Sequence, residues 1–198
     1  MIKNVVFDFG QVLVRFEPMY MTRQYIKDDA DAALVADILF DRVYWDRLDA
    51  GTISDEEVVR LSCSRLPERL HESVEKVYYN WIYNLPEIEG MRDIIISLKK
   101  AGKRIYLLSN ISEYFAAHAD EIPILKEIEK CIFSAVAGHV KPNKDMFEYL
   151  CTECKISPSE TLFIDDNEKN IAGARDYGIS AYLFDGNSQK LKAYLTEC

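Results

Sequence analysis

The stretch KNVVFD at residues 3–8 carries three apolar residues directly before an acid. A short apolar run that ends in polar residues is typical of a buried strand. Similar runs follow at residues 103–108, 131–135, 161–164 and 180–184. Helical patterns separate them at residues 86–100, 113–130, 144–154 and 168–177, and a final helix follows. This alternation predicts an α/β fold in which helices cover both faces of a parallel sheet.

The segment between the first strand and residue 86 has a different character. Residues 17–85 are rich in Asp, Arg, Tyr and Leu at helical spacing and contain few strand-like runs. Helices are predicted around residues 32–40 and 70–83, and another begins at Ser54, where Glu57 completes a capping box. We therefore predict an all-α cap at residues 16–85, inserted into a core that comprises residues 1–15 and 86–198.

The charge of the chain limits its partners. Its 198 residues are 48% hydrophobic and 29% charged, as in an ordinary globular protein. Its 24 basic and 33 acidic residues give a net charge of −9. Nucleic acid and anionic membranes do not attract such a chain overall, so we expect neither as a partner. A small phosphorylated ligand needs only a local basic site. The sequence indicates no oligomeric state.

The sequence also favours a reducing, cytoplasmic location. No apolar run approaches the roughly 20 residues that span a bilayer, and the first residues do not form a secretory signal. Five cysteines, an odd number, predict reduced thiols: Cys63, Cys131, Cys151, Cys154 and Cys198. The C-x-x-C pair at residues 151–154 has no second pair to complete a zinc site, so we interpret it as a neutral pair on a helix.

Polar residues of complementary types stand at the ends of the predicted strands. In parallel sheets, ligands bind beyond the carboxyl ends of the strands, so these residues are expected to lie close together. They are Asp8 and Gly10 after the first strand, Ser109 and Asn110 after the second, Lys141 after the third, and Asp165 and Asp166 after the fourth.

Each of these residue types has a use in phosphoryl transfer. A carboxylate can act as the nucleophile and form an aspartyl-phosphate. Neighbouring carboxylates repel a phosphate unless a divalent cation screens them, and Mg²⁺ prefers such oxygen ligands. A lysine neutralises the charge on the transferring oxygens, and a serine hydroxyl with backbone N–H groups holds the others. The adjacent acids Asp165 and Asp166 indicate a positive partner, because two such charges otherwise repel each other.

At these residues the sequence resembles the haloacid dehalogenase-like hydrolase superfamily, over almost the whole chain. The four family motifs match in order: VVFDFGQVLV at residues 5–14, LLSN at 107–110, HVKP at 139–142 and FIDDN at 163–167. The resemblance implies a Rossmann-like core with a helical cap inserted after the first strand. Within the family, the sequence is most similar to bacterial phosphatases of glucose 1-phosphate and to the phosphatase domain of soluble epoxide hydrolases.

The resemblance implies a role for each of these residues. Asp8 would be the nucleophile, and Lys141 would bridge Asp8 and the phosphate. Ser109 and the backbone N–H of Asn110 would bind phosphate oxygens. Mg²⁺ would be held by Asp8, Asp166 and the backbone carbonyl of Gly10, with Asp165 as a supporting group or an alternative ligand.

One position departs from the family pattern. Most phosphatases of the family carry an aspartate two residues after the nucleophile, which protonates the leaving group and then activates water. Gly10 occupies that position here and has no side chain. General acid–base catalysis typically supplies about 10²–10⁴-fold. We therefore hypothesise a substrate whose leaving group needs little help, such as a sugar 1-phosphate.

The predicted cap contains candidate replacement acids. Glu17 is close to the nucleophile in sequence, and a polar–aromatic stretch follows at residues 44–49. Its members Tyr44, Trp45, Arg47 and Asp49, together with Arg15, are candidates to face the cleft, whereas the aromatic pair also suits the cap's own core. His139 is interpreted as an ordinary loop residue.

Two other functions remain open from the sequence. A catalytically weak or inactive member that binds a phosphorylated ligand is favoured by Gly10 and opposed by the retention of Asp8, Lys141 and the acid pair. A dehalogenase needs no metal, and the acid pair after the fourth strand argues against it.

Overall fold

A sheet of five parallel strands forms the centre of the computed structural model, which describes residues 1–196. The strands are Asn4–Phe7 (β1), Arg104–Ser109 (β2), Lys130–Phe133 (β3), Thr161–Asp165 (β4) and Ser180–Leu183 (β5). Their order in the sheet is β3-β2-β1-β4-β5. The predicted α/β fold with a Rossmann-like parallel sheet is confirmed.

The register of the central strands aligns their carboxyl ends. Phe7 on β1 pairs with Leu107 on β2 and with Ile164 on β4. The backbone N–H of Asp8 continues the ladder by donating to the carbonyl of Ile164 at 2.9 Å. The residues that follow Phe7, Leu107 and Ile164 therefore meet at one edge of the sheet, where ligands bind in parallel sheets.

The helices of the cap precede those of the core along the chain. The cap helices are Pro18–Arg23 (α1), Asp29–Leu39 (α2), Arg42–Asp49 (α3), Asp55–Cys63 (α4) and His71–Asn80 (α5). The core helices are Met91–Lys100 (α6), Glu113–Ala117 (α7), Ser134–Ala137 (α8), Lys144–Cys154 (α9), Glu168–Asp176 (α10) and Ser188–Thr196 (α11). Within residues 1–196, no helix is both long and apolar enough to cross a bilayer.

Apolar side chains fill both faces of the sheet. Successive residues of a strand point to opposite faces, and Val5 and Phe7 join one buried cluster whereas Val6 joins another. Helices α6 and α11 pack on the first cluster, and α9 and α10 pack on the second. This arrangement explains why the strands are apolar on both sides and why their polar residues appear only at the ends.

The cap has a hydrophobic cluster of its own, built from α2, α4 and α5 with Leu48 at the end of α3. Two chain segments connect it to the core side by side: Arg15 N–H donates to the carbonyl of Pro86 at 2.8 Å, and Ile88 N–H donates to Leu13 at 2.9 Å. This neck supports our division into a cap of residues 16–85 and a core of residues 1–15 and 86–198, which stays a prediction.

Several predicted elements differ from the structure at their ends. The helix predicted from residue 86 begins at Met91, because residues 86–88 form the neck. Residues 113–130 form only a short α-helix, followed by 3₁₀ turns at Ala119–Glu121 and Pro123–Glu127. The strand predicted to end at residue 135 stops at Phe133, where α8 begins.

The capping box of α4 is half formed. Ser54 Oγ accepts from the backbone N–H of Glu57 at 3.2 Å, as predicted. The Glu57 carboxylate instead accepts hydrogen bonds from Arg60 at 2.6 Å. A guanidinium one turn along the helix therefore takes the acceptor that the capping box would use.

The cysteines of the described chain are free thiols, as predicted. They are Cys63, Cys131, Cys151 and Cys154, and Cys198 lies outside the described residues. Burial raises the pKa of Cys151 and of Cys154 to about 11, so both stay protonated at neutral pH. The C-x-x-C pair thus belongs to the buried face of α9.

Gly173 in α10 provides a test of the packing. Alanine there would place its Cβ 2.4 Å from the carbonyl oxygen of Pro142. Helix propensity alone favours alanine by about 1 kcal/mol, but overpacking costs about 1–3 kcal/mol. We expect Gly173→Ala to lower the free energy of unfolding in urea. Ala172→Gly, at the exposed neighbouring position, is the control and should lose about 1 kcal/mol through propensity alone. A Gly173→Ala variant more stable than the wild type would contradict this packing.

Candidate active site

The strand ends and the cap enclose a cavity of about 510 Å³. This volume suits a small ligand. Six of the seven predicted site residues line it: Asp8, Gly10, Ser109, Asn110, Lys141 and Asp166. The seventh, Asp165, lies beneath them at the end of β4 and is fully buried.

Lys141 forms ion pairs with two carboxylates at the floor of the cavity. Its buried Nζ lies 2.8 Å from Asp8 Oδ1 and 2.8 Å from Asp165 Oδ2. Burial alone would favour the neutral amine, but the charges of Asp8 and Asp165 outweigh it and raise the pKa of Lys141 above its usual value. The side chain is therefore a permanent ammonium between two carboxylates.

The carboxyl of Asp8 has a raised pKa. Burial raises the pKa of Asp8 to about 6, Lys141 opposes the shift, and the charge of Asp165 adds to it. Any further positive charge placed in the cavity would favour the carboxylate form of Asp8.

The two adjacent acids after β4 have different surroundings. Asp165 accepts hydrogen bonds from Lys141 Nζ, from the backbone N–H of Asn167 at 2.8 Å and from Asn170 Nδ2 at 3.0 and 3.1 Å. Asp166 is exposed at the cavity, and partial burial of its carboxyl, together with the charge of Asp165, raises its pKa. Both oxygens of Asp165 are thus already engaged, which favours Asp166 as the direct metal ligand.

The carboxylates fit a divalent cation. Asp8, Asp165 and Asp166 each offer an oxygen, and these three atoms lie within 4.8 Å of one another. Three carboxylates against one buried ammonium leave excess negative charge, and hard oxygen donors of this kind suit Mg²⁺.

Asn110 has a structural role that the sequence did not indicate. Its Nδ2 donates to the backbone carbonyl of Lys141 at 3.0 Å, and its Oδ1 accepts from the backbone N–H of Lys141 at 2.8 Å. This two-point contact fixes the loop that carries the ammonium. Ser109 is buried at the end of β2 and lines the cavity beside it.

Steric crowding does not explain why residue 10 is a glycine. Gly10 lines the cavity, and a Cβ built on it would meet no other atom within 4 Å. The departure from the family pattern is therefore chemical: the position has room for a side chain and carries none.

The cap supplies the opposite wall of the cavity. Phe16, Phe40, Trp45 and Trp81 line it as an aromatic wall, with ring centroids of Trp45 and Trp81 5.6 Å apart. Trp45 Nε1 donates to the Leu39 carbonyl at 2.7 Å, so its polar group is already satisfied. This wall presents apolar aromatic side chains to a ligand.

Only some of the candidate polar residues near the cap line the cavity. Asp49 lines the cavity together with Arg42, whereas Glu17, Arg15, Tyr44 and Arg47 do not line it. Tyr44 packs against the cap cluster, with Arg65 over its ring at 5.7 Å. His139 lies against Tyr149 at a ring distance of 5.9 Å, outside this cavity, as expected for an ordinary loop residue.

Three supporting groups were not indicated by sequence reasoning. Asn170 binds both oxygens of Asp165. Ser134 Oγ accepts from the backbone N–H of Ile111 at 2.9 Å and donates to the carbonyl of Asp49 at 2.6 Å. The side chain of Asn110 is the third. Only Asn170, one turn into the helix after the acid pair, had a position that could have signalled its role.

Fold and site together define a haloacid dehalogenase-like hydrolase, and the family model with that description matches residues 2–178. The chain belongs to this family, as the sequence predicted.

Known relatives agree with this assignment. A D-ribitol-5-phosphate phosphatase from Bacteroides thetaiotaomicron is 28% identical over 193 residues, which cover 92% of this chain and 91% of that protein. A haloacid dehalogenase-like hydrolase structure from Porphyromonas gingivalis has a TM-score of 0.75 at 27% identity and covers 100% of this chain and 98% of its own.

A third relative shows the same fold. It is a family enzyme from Bacteroides thetaiotaomicron solved with magnesium and inorganic phosphate. Its TM-score is 0.72 at 21% identity, and the match covers 94% of this chain and 96% of that one. The prediction of a hydrolase in the phosphatase class is confirmed by the family and its curated relatives.

Lys141→Met tests the buried cluster. Removing one partner of a buried ion pair costs about 3–5 kcal/mol, because a charge is left unpaired. We expect a loss of this size in the free energy of unfolding at pH 8. The loss should shrink as the pH falls, since protonation of Asp8, whose pKa is raised to about 6, removes unpaired charge.

Lys130→Met is the matched control. Lys130 pairs with Glu153 at 2.8 Å, and both side chains are 42% exposed. Such surface pairs contribute less than about 1 kcal/mol. Equal losses in the two variants would show that the Lys141 cluster is not the buried constraint that its geometry indicates.

Proposed function

We propose that this phosphatase transfers the phosphoryl group of a small phosphorylated metabolite to Asp8, and from Asp8 to water, with Mg²⁺ as its cofactor. The observation that carries the proposal is the carboxylate of Asp8 at the cavity floor, 2.8 Å from the buried ammonium of Lys141 and beside Asp166. A nucleophile, its positive partner and a cation-binding acid thus line one cavity.

The chain's own residues divide the work. Asp8 Oδ attacks phosphorus, and Lys141 offsets the negative charge shared by Asp8 and the phosphoryl oxygens. Ser109 and the backbone N–H of Asn110 hold phosphoryl oxygens in this scheme. When bound, Mg²⁺ screens the phosphate from the carboxylates and polarises its oxygens.

The position of the carboxylates supports an assignment of the metal ligands. We assign Asp8, Asp166 and the Gly10 carbonyl as ligands. Asp165 orients Lys141 and Asn170, because its oxygens are occupied by hydrogen bonds. The alternative, in which Asp165 binds the metal directly, requires it to give up some of these contacts.

Charge and cavity both favour a small substrate. The net charge of −9 opposes nucleic acid and anionic membranes. The cavity of about 510 Å³ lies between the strand ends and the cap and suits a single metabolite. We place this activity in the cytoplasm.

The nucleophile is tested by hydrolysis of p-nitrophenyl phosphate. We expect Mg²⁺-dependent turnover that EDTA abolishes and that Asp8→Asn lowers by at least about 10³-fold, because the covalent route is lost. Asp37→Asn, which removes an exposed acid on α2, is the control and should keep the wild-type rate.

The other outcomes identify the competing functions. Halide release from a haloacid that is insensitive to EDTA would establish the dehalogenase. Tight binding of inorganic phosphate without turnover would establish the non-catalytic module, which the glycine at residue 10 favours. Turnover unchanged by Asp8→Asn would remove Asp8 from the mechanism.

Two classes of phosphorylated carbohydrate are candidates for the substrate. The first is a sugar 1-phosphate, because its anomeric oxygen leaves more readily than a simple alkoxide, whatever group supplies the proton. The second is a polyol phosphate, favoured by the similarity to the D-ribitol-5-phosphate phosphatase. In either case the aromatic wall is suited to contact the C–H faces of the carbohydrate.

A substrate panel separates the two classes. We expect kcat/KM to be higher for glucose 1-phosphate than for glucose 6-phosphate or glycerol phosphate, since only the first has an anomeric leaving group. Faster turnover of either of the latter than of any 1-phosphate would exclude the sugar 1-phosphate preference. Fastest turnover of ribitol 5-phosphate would favour the second class.

A further inference from the structure

Resting on the proposed function, we propose that Asp49 of the cap is the general acid–base residue of this enzyme, in place of the aspartate that Gly10 lacks. The proton donor would then come from the inserted helical block and reach the cavity from the side opposite the nucleophile.

Asp49 is buried in the wall of the cavity, a position that suits this role. It is only 4% exposed, and it lines the same cavity as Asp8, Lys141 and Asp166. Its Oδ1 is buried and has no hydrogen-bond partner among residues 1–196. Its Oδ2 lies 3.5 Å from Arg42 Nη2. A buried carboxyl oxygen without a partner is costly, and the cost is greatest for the charged carboxylate, so the site favours the protonated acid that a proton donor requires.

The backbone of Asp49 is tied to the phosphate-binding side of the core. Ser134 Oγ donates to the Asp49 carbonyl at 2.6 Å and accepts from the N–H of Ile111 at 2.9 Å. Ile111 directly follows Ser109 and Asn110. Two residues beyond Asp49, Gly51 packs so closely that a Cβ would lie 2.9 Å from the Ala135 carbonyl oxygen. The end of α3 is thus fixed against α8 and the loop that follows β2.

The protonation of Asp49 suits proton transfer. Burial raises the pKa of Asp49 to about 7; Arg42 opposes the shift, Asp46 adds to it, Lys141 opposes it, and Asp8 adds to it. An acid–base residue works best when its pKa is near the working pH. Both forms of Asp49 are therefore populated at neutral pH.

Within residues 1–196, the other acids that line the cavity are already assigned. They are Asp8 and Asp166, which serve as nucleophile and metal ligand. Asp49 is thus the acid of the lining that is left for proton transfer. Arg42 beside it stabilises the carboxylate after the proton has left.

Asp49 gives up one proton in the first half-reaction and regains one in the second. First, Asp8 Oδ forms a bond to phosphorus, the bond from phosphorus to the leaving oxygen breaks, and the Asp49 carboxyl gives its proton to that oxygen. Then the Asp49 carboxylate takes a proton from water, the water oxygen bonds to phosphorus, and the bond from phosphorus to Asp8 breaks. Inorganic phosphate, free Asp8 and protonated Asp49 result.

The test compares leaving groups in Asp49→Asn. Glycerol phosphate and ribitol 5-phosphate need a proton for their alkoxides, whereas p-nitrophenolate leaves without one. The ratio kcat/KM reports the steps up to departure of the leaving group. We expect Asp49→Asn to lower kcat/KM by at least about 100-fold for the alkyl phosphates, but less than about fivefold for p-nitrophenyl phosphate.

The control is Asp37→Asn, which removes an exposed acid on α2 that does not line the cavity. This control variant should keep kcat/KM for all three substrates within about twofold. The neutral amide of Asp49→Asn removes a buried ionisable group, so its Tm at pH 8 should not fall below that of the wild type.

The outcomes separate this inference from the proposed function. Equal losses for alkyl and nitrophenyl substrates, or no loss for either, would overturn the role of Asp49 while leaving Asp8 as nucleophile. Retained activity in Asp8→Asn would overturn the proposed function itself.

The pH dependence of kcat/KM in the wild-type enzyme provides a second test of Asp49. Because the proton donor exists only below its pKa, kcat/KM for glycerol phosphate should fall as the pH rises through about 7. For p-nitrophenyl phosphate this decline should be absent. The same decline with both substrates would contradict proton donation by Asp49.

Discussion

The buried ammonium of Lys141, shared between Asp8 and Asp165, is the interaction on which the rest of the site depends. An ammonium and two carboxylates out of water are costly unless each finds its partners. The structure provides them: Asn110 fixes the backbone of Lys141, and Asn167 and Asn170 donate hydrogen bonds to Asp165. The result is a floor whose geometry is set before any ligand arrives. Three separate strand ends and one loop therefore act as a single rigid unit, and Asp8, the proposed nucleophile, is held at the floor of the cavity.

The core and the cap contribute different chemistry to the cavity. The core supplies charge: the carboxylate of Asp8, the ammonium of Lys141 and the acid Asp166, which suits a cation. The cap supplies the aromatic wall and the pair formed by Arg42 and Asp49. Ser134 connects the two, since one hydroxyl bonds both to the loop after β2 and to the end of α3. The proposed role of Asp49 also explains the open space beside Gly10. An acid that reaches the cavity from the cap makes an acidic side chain at residue 10 unnecessary.

The strand-end residues were predictable because parallel strands bring their carboxyl ends to one edge. Asp8, Ser109 and the acid pair follow apolar runs, so their meeting required only the sheet. The supporting contacts were not predictable, since Ser134 acts through a hydroxyl whose partners are 23 and 85 residues away in sequence. Asp49 was one of several polar residues in the cap. Only the structure shows that Asp49 lines the cavity and that Tyr44 packs against the cap cluster. Helix ends were the least predictable, because the neck contacts at residues 86–88 replaced a helical turn.

A covalent bond between phosphorus and Asp8 is the central element of the proposed mechanism. The most direct test is to mix the enzyme with substrate and Mg²⁺, quench it in acid during turnover, and map the phosphoryl group by mass spectrometry of proteolytic peptides. We expect a phosphoryl group on Asp8 that disappears when the substrate is exhausted. A phosphoryl group on any other residue, or continued turnover with Asp8 unmodified at every time point, would contradict this mechanism.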